Sequence, residues 1–170
     1  MIVHTTLGNL CNYQVGEREM DMLQIEWYET GKRIFHKKTL KGREVIFKSL
    51  NQSSALQPGD VLFEDVDVVI VIDILPCECI VVKPQSFYQV AAICYEIGNK
   101  HVPLFYEEDE LLTAYEAPLF RQLDAAGFAP QKQMRRLVNA LKTSVRPHTV
   151  GTTNSSLFSR ILQLTTPSNE

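Results

Sequence analysis

The segment from residue 86 to residue 106 constrains the fold of this chain most, because it combines a helix start, an apolar stripe and a helix stop. Ser86 can accept hydrogen bonds from the free N–H groups of a first helical turn. Apolar residues then recur at spacings of three and four, which predicts an amphipathic helix. They are Val90, Ile93, Cys94 and Ile97. Gly98 and Asn99 are expected to take the left-handed conformation that ends a helix, and Pro103 prevents the helix from resuming.

His101 lies between this helix stop and an apolar run, residues 102–106, which predicts a strand. One imidazole is therefore expected at a helix-to-strand corner, beside a helix C-terminus whose partial negative charge favours cations. This position suits a metal ligand. A solvated or capping histidine would fit the same pattern, so the spacing alone leaves both roles open.

The first half of the chain predicts short strands, frequent turns and no convincing helix. Leu23, Ile25 and Trp27 alternate with polar residues, as in a half-buried strand. Further strands are expected at residues 2–7, 34–40, 44–47, 61–63 and 66–75, with turns at 8–9, 41–42 and 58–60. This pattern favours a small β-sandwich or barrel as an N-terminal domain over residues 1–76.

The second half predicts an α+β domain. Its elements are expected to be a strand at 79–83, a helix at 86–97, strands at 102–106 and 110–114, and a helix at 118–126. A last strand is expected within 128–145, although residues 135–141 could also continue as a helix. The order βαββαβ is that of a ferredoxin-like domain, here over residues 77–145. Residues 146–170 are rich in Ser, Thr, Asn and Pro and predict a flexible C-terminal tail.

Composition excludes several classes of function. The formal net charge is -3, and without a basic excess a nucleic acid is not expected as a partner. The apolar run at 66–75 contains Asp67 and Asp73 and is too short to span a bilayer. The N-terminus lacks a charged region followed by a long apolar stretch, so no signal peptide is expected and a cytoplasmic location is favoured.

The four cysteines are not spaced like the disulfide framework of a secreted protein. Cys77 and Cys79 flank one residue on a predicted strand, so their side chains should share a face. Such a pair could hold a soft metal if other ligands converged on it, although two reduced strand residues are the simpler interpretation. Cys94 lies on the apolar stripe of the helix and is expected in the core.

The remaining candidates for chemistry are three histidines and an acidic run. His4 lies on a short predicted strand without a metal-ligand neighbour, and His36 lies in a cationic run that is typical of a solvated strand edge. His148 in the tail is either a solvated residue or an additional tethered ligand. The acidic residues 107–110 predict a solvated turn, or, in a hydrolase, a source of the general base.

Two groups of motifs resemble one known family. ICYEIGNKH (residues 93–101) and the VPLFYEEDELL that follows it resemble the signature of the UreE urease accessory proteins, which are nickel metallochaperones. LQIEWYETGKR, the turn at 42–44 and QPGDVLFED (residues 57–65) resemble the family's N-terminal domain. The resemblance covers residues 1 to about 127. It implies a peptide-binding type of β-domain followed by a ferredoxin-like metal-binding domain.

The resemblance also implies a site, an ion and partners. The family's metal-binding histidine falls on His101, and two copies meet at the two-fold interface of a homodimer. The ion would be Ni²⁺, with Zn²⁺ able to bind in vitro, and it would pass to the GTPase UreG and the apo-urease assembly. Some members add a ligand from the tail, for which His148 is the candidate. Lys100 replaces the arginine of many relatives, and the His-rich tail of certain relatives is absent, so high-capacity nickel storage is not expected.

Two other classes of function stay open from the residues alone. A metal-independent peptide-binding co-chaperone would use the β-domain by strand addition, with His101 in a structural role. A metal-dependent hydrolase would need a general base near the ion. We expect no enzyme, because a site with few protein ligands exchanges its metal readily and suits a carrier.

Overall fold

The computed structural model of the protein describes residues 1–49 and 55–141. Their backbone forms short strands, two α-helices and a 3₁₀ turn at Trp27–Glu29. The strands are β1 (Ile2–Val3), β2 (Gly8–Asn9), β3 (Glu19–Ile25), β4 (Ile34–Lys38), β5 (Glu44–Lys48), β6 (Asp60–Glu64), β7 (Val68–Ile74), β8 (Cys77–Val82), β9 (Phe105–Glu107), β10 (Glu110–Ala114) and β11 (Gln131–Arg135). The helices are α1 (Phe87–Asn99) and α2 (Ala117–Ala125).

The first seven strands form two sheets, ordered β1-β5-β4 and β2-β6-β7-β3. Alternate residues of both sheets point inward and meet in one apolar core, as strand alternation requires. The core includes Val3, Phe35, Val45 and Phe47 from the first sheet and Leu23, Ile25, Ile70 and Ile72 from the second. Val69 and Val71, on the opposite face of β7, are buried against a smaller cluster. Burial on both faces explains the continuous apolar run of this strand, and the sandwich-type prediction is confirmed.

The remaining elements follow the order β8-α1-β9-β10-α2-β11 and form a sheet ordered β11-β8-β10-β9, with every neighbouring pair antiparallel. This is the ferredoxin-like arrangement that the sequence predicts. One face of the sheet packs against both helices. The residues of this core include Ile80, Val82, Ile93, Ile97, Leu119 and Leu123.

The other face of the C-terminal sheet contacts the N-terminal half of the chain. The Trp27 ring meets the Phe105 ring edge-on, with centroids 5.7 Å apart. Arg136 Nε donates a hydrogen bond to the Ile74 carbonyl oxygen at 2.8 Å. A small apolar cluster with Cys79, Leu112 and their neighbours lies under Trp27.

Three expectations for the N-terminal half are wrong. Trp27, expected at the end of a strand, instead begins the 3₁₀ turn, and β3 ends at Ile25. The predicted turn at 8–9 is strand β2, paired with Asp60 and Val61. The side-chain amide of Asn9 donates hydrogen bonds to the Pro58 carbonyl oxygen and to Asp60 Oδ1, each at 2.9 Å. These bonds connect β2 to the turn that precedes β6. The strand expected over residues 2–7 ends at Val3, and a separate short strand begins at Gly8.

The C-terminal half departs from expectation at three points. The strand expected at 102–106 begins only at Phe105, two residues after a proline that cannot donate to a sheet. Residues 136–141 form no helix and instead run along β9, where the Tyr106 N–H donates to the Asn139 carbonyl oxygen at 3.0 Å. Helix α1 continues to Asn99, beyond the expected stop. The predicted flexible tail lies outside the described residues. Within the described ranges, no helix has the length and apolar character needed to cross a bilayer.

Candidate metal site

Helix α1 begins and packs as its sequence predicts. Ser86 has an extended backbone, and its Oγ accepts a hydrogen bond from the Gln89 N–H at 3.2 Å. Ile93 and Ile97 are buried against the sheet, and Cys94 is half-buried beside them. Burial raises the pKa of the Cys94 thiol, which is consistent with a packing role. These contacts fix the helix on the domain.

The end of α1 places His101 at a sharp reversal of the chain. The His101 N–H donates to the Gly98 carbonyl oxygen at 3.0 Å, and the Lys100 N–H donates to that of Ile97 at 3.1 Å. His101 itself has a φ of 56°, so it carries the left-handed conformation that was expected at Gly98 or Asn99. Histidine is one of the few non-glycine residues that is enriched in this region. The residue is exposed on the surface of this corner.

An exposed aromatic surface runs along α1 toward this corner. Phe87, Tyr88 and Tyr95 are 88%, 77% and 68% exposed, and Ala91 is exposed between them. At 100° per residue these four side chains, the α1 aromatic face, share one arc of the helix opposite Ile93 and Ile97. Exposed apolar side chains that lie side by side are typical of interaction surfaces. The sequence analysis did not predict this surface. Tyr88 and Tyr95, at positions i and i+7 outside the buried stripe, are the pattern that could have indicated it.

The acidic run at 107–110 forms the turn between β9 and β10, as its simpler interpretation predicts. Arg135 pairs with Glu107 at 2.6 Å and with Glu110 at 3.0 Å. Lys83 Nζ lies 2.7 Å from Asp109 Oδ2, and this contact lowers the pKa of the Asp109 carboxyl. Glu107, Asp109 and Glu110 are therefore engaged with cations, as in a solvated, ion-paired turn.

The other predicted candidates lie elsewhere in the fold. His4 Nδ1 is 2.9 Å from the Lys48 carbonyl oxygen, and His36 is exposed on β4 with Nε2 3.8 Å from a Glu44 carboxylate oxygen. His36 belongs to the first N-terminal sheet, and His4 directly follows its strand β1. His148 lies outside the described residues. Among residues 1–49 and 55–141, no three His, Cys, Asp or Glu side chains converge as metal ligands.

The two strand cysteines share a face, as predicted. Their Sγ atoms are 3.6 Å apart. Cys79 is fully buried, and burial raises its pKa to about 12. Burial also raises the pKa of Cys77. Both are therefore protonated thiols at neutral pH.

Comparison with known proteins agrees with this architecture. The family models for the N-terminal and C-terminal domains of the UreE urease accessory protein match residues 3–75 and 77–149. A urease accessory protein UreE of Flavobacterium johnsoniae is 42% identical over 164 residues, covering 96% of this chain and 99% of the relative. One from Acetivibrio thermocellus is 41% identical over 141 residues, covering 83% and 92%. One from Actinobacillus pleuropneumoniae is 41% identical over 147 residues, covering 84% and 79%.

The fold defines a class of protein in which a β-domain precedes a ferredoxin-like domain, here with an exposed histidine at a helix end. Family matches to both parts, and relatives aligned over most of their length, specify the class further. The chain belongs to the UreE urease accessory protein family.

Proposed function

We propose that this protein is a nickel metallochaperone of urease maturation, which binds Ni²⁺ through His101 and performs no catalytic step. Family membership supports the urease role. The observation that carries the nickel site is the exposed, left-handed position of His101 at the end of α1. That position places an imidazole on the surface of the domain, where an incoming ion can reach it.

The site requires two copies of the chain, because a single imidazole holds a divalent ion weakly. A two-fold axis places the same residue twice on one ion. The α1 aromatic face supplies an apolar surface that a homodimer would bury. His101 lies at the end of the same helix, so two α1 helices that meet near the axis would bring both imidazoles together.

A site with two imidazoles suits the transfer of an ion. Imidazole binds Ni, Cu and Zn, and intrinsic affinity follows the Irving–Williams order. Zn²⁺ is therefore expected to compete in vitro, and the open coordination positions let the ion leave for the next carrier. His148 from the tail is proposed as a secondary ligand, which completes the coordination at a cost in chain entropy.

The proposed partners are the GTPase UreG and the apo-urease assembly in the cytoplasm. Residues 77–145 would hold the metal site and the dimer contact. Residues 1–76 hold none of the proposed ligands and are the candidate docking domain for these proteins, and residues 146–170 form the proposed tail.

Calorimetric titration with Ni²⁺ tests the site. His101→Ala is expected to lose the tightest binding step, while the matched control His36→Ala, an exposed histidine of the N-terminal sheet, keeps it. His148→Ala is expected to weaken that step by a modest factor, because both copies of His101 remain. An unchanged tightest step in His101→Ala would reject the assignment.

A further inference from the structure

Cys77 and Cys79 form a close pair of sulfur atoms that the nickel site does not use. They alternate on one face of β8, and their Sγ atoms are 3.6 Å apart. We propose that this pair is a second metal site, which binds one Cu(I) ion as a two-thiolate complex. This inference is independent of the proposed nickel function.

The separation of the sulfurs suits a shared metal. With a metal–sulfur bond of about 2.3 Å, two sulfurs on one ion lie about 3.8 Å apart at a tetrahedral angle and about 4.6 Å apart in a linear complex. The observed 3.6 Å lies within about 1 Å of the linear value, which a two-coordinate Cu(I) takes. Cys77 is only partly buried, so a rotation of its side chain can open the pair toward this value without moving Cys79.

The donor set favours a soft ion of low coordination number. Besides the Cys77 sulfur, Cys79 Sγ contacts the carbonyl oxygens of Cys77 at 3.3 Å and Arg135 at 3.7 Å. Carbonyl oxygens suit hard cations, whereas thiolates select Cu(I) or zinc. A structural zinc site needs four ligands, and in the described part of the chain no third His, Cys, Asp or Glu joins this pair.

The surroundings would shield and balance such a complex. Val81, Phe105 and Leu112 cover the same face of the sheet, and the partly buried Trp27 packs against them. Arg135 pairs with Cys77 in the strand register, and its positive charge acts on the Cys79 thiol. The guanidinium that also binds Glu107 and Glu110 therefore lies near the negative charge that two thiolates and one Cu(I) would carry. A cleft of about 340 Å³ lined by Pro76 and Arg135 reaches the residues beside Cys77.

Binding exchanges protons and leaves the copper oxidation state unchanged. Both thiols are protonated in the metal-free protein, because burial raises the pKa of each. Two S–Cu bonds form, two S–H bonds break, and two protons pass to the solvent. The copper enters and remains as Cu(I).

The test is an anaerobic titration of the reduced full-length protein with Cu(I), with bicinchoninate as a competing chelator. Trp27 is the single tryptophan and packs beside the pair, so its fluorescence should be quenched as one Cu(I) per chain binds. Cys77→Ser should weaken binding more than about a hundredfold, since loss of an outer-shell partner alone costs about 10–100-fold. Cys77→Ser is preferred to a change at Cys79, because its side chain is partly exposed and the fold should persist.

Three variants serve as matched controls: Cys11→Ser, Cys94→Ser and His101→Ala. Each should keep both the affinity for Cu(I) and the quenching of Trp27. Equal Cu(I) affinity in wild type and a folded Cys77→Ser would overturn the proposal. So would a loss of Cu(I) binding that follows Cys11→Ser or His101→Ala, because the ion would then occupy another site.

Discussion

At the scale of single residues, the backbone of His101 decides where the imidazole points. Its φ of 56° reverses the chain directly after α1. A left-handed conformation costs a non-glycine residue roughly 1–2 kcal/mol. This strained backbone holds residue 101 in one geometry, which the proposed ligand role would use.

Replacing His101 with Gly and with Ala separates strain from ligation. Both variants lack the imidazole, so both are expected to lose the tight Ni²⁺ site. Since glycine adopts positive φ without penalty, His101→Gly should be more stable than His101→Ala by about 1 kcal/mol. Urea denaturation of the two variants measures this difference. A less stable glycine variant would show that residue 101 is not left-handed in solution.

Asp21 is a buried carboxylate that connects β3 to the turn after β4. Its Oδ2 accepts hydrogen bonds from Thr39 Oγ1 and from the Arg43 guanidinium, both at 2.6 Å, and its Oδ1 accepts one from the Lys41 N–H at 3.2 Å. Burial alone would raise the pKa of Asp21, but these donors outweigh it and the pKa is lowered. The charged form is therefore bound more favourably in the folded protein than in the unfolded chain.

This lowered pKa predicts a dependence of stability on acid. The contribution of Asp21 to the free energy of unfolding is fully present above its unfolded pKa of about 3.9. It is lost as the pH falls through the lower pKa of the folded state. Asp21→Asn should lower the free energy of unfolding by about 2 kcal/mol near pH 7. The difference in stability between the variant and wild type should shrink below about pH 4. Denaturant unfolding at several pH values tests this. Asp124→Asn, an exposed control, should change little, and a difference that grew in acid would contradict the sign.

At the scale of elements, α1 has two apolar surfaces, and only one faces the domain core. Tyr95 is 68% exposed on the other. If the α1 aromatic face is the dimer contact, Tyr95→Glu should shift the protein toward the mass of one chain, 19.4 kDa. Sedimentation velocity measures the shift. The control is Tyr28→Glu, since Tyr28 is 58% exposed in the N-terminal half. Identical sedimentation of the two variants would exclude this face.

The sequence predicted the elements whose signals are local. Strand β10 has the expected bounds, Glu110–Ala114, and α1 starts at the expected cap, because alternation and capping are read from neighbouring residues. Strand β2 has two residues of turn-forming type, and its pairing partner lies about fifty positions away in the chain. No local pattern could have found it.

The candidate metal site was likewise predictable only where local sequence signals determine it. The sequence located His101 at a helix-to-strand corner, because a helix stop and a following proline are local signals. It did not identify the residue that reverses the chain. Gly98 and Asn99 have the higher intrinsic preference for the left-handed conformation, but both remain helical and the reversal falls on His101.

At the scale of the whole molecule, the βαββαβ order was predictable because each element has its own periodicity. The contact between Trp27 and Phe105 was not predictable. The sequence pattern placed Trp27 at the end of a strand, whereas it begins a 3₁₀ turn. The predicted domain bounds at residues 76 and 145 stay predictions. The proposed metal site is also a property of an assembly, because each chain contributes the same His101.

Native mass spectrometry of the purified protein during titration with Ni²⁺ tests this shared site most directly. The proposal predicts that the first tightly bound species contains two chains and one Ni²⁺, and that His101→Ala forms no such species at the same nickel concentration. A tight complex of one Ni²⁺ with one chain, retained in His101→Ala, would contradict it.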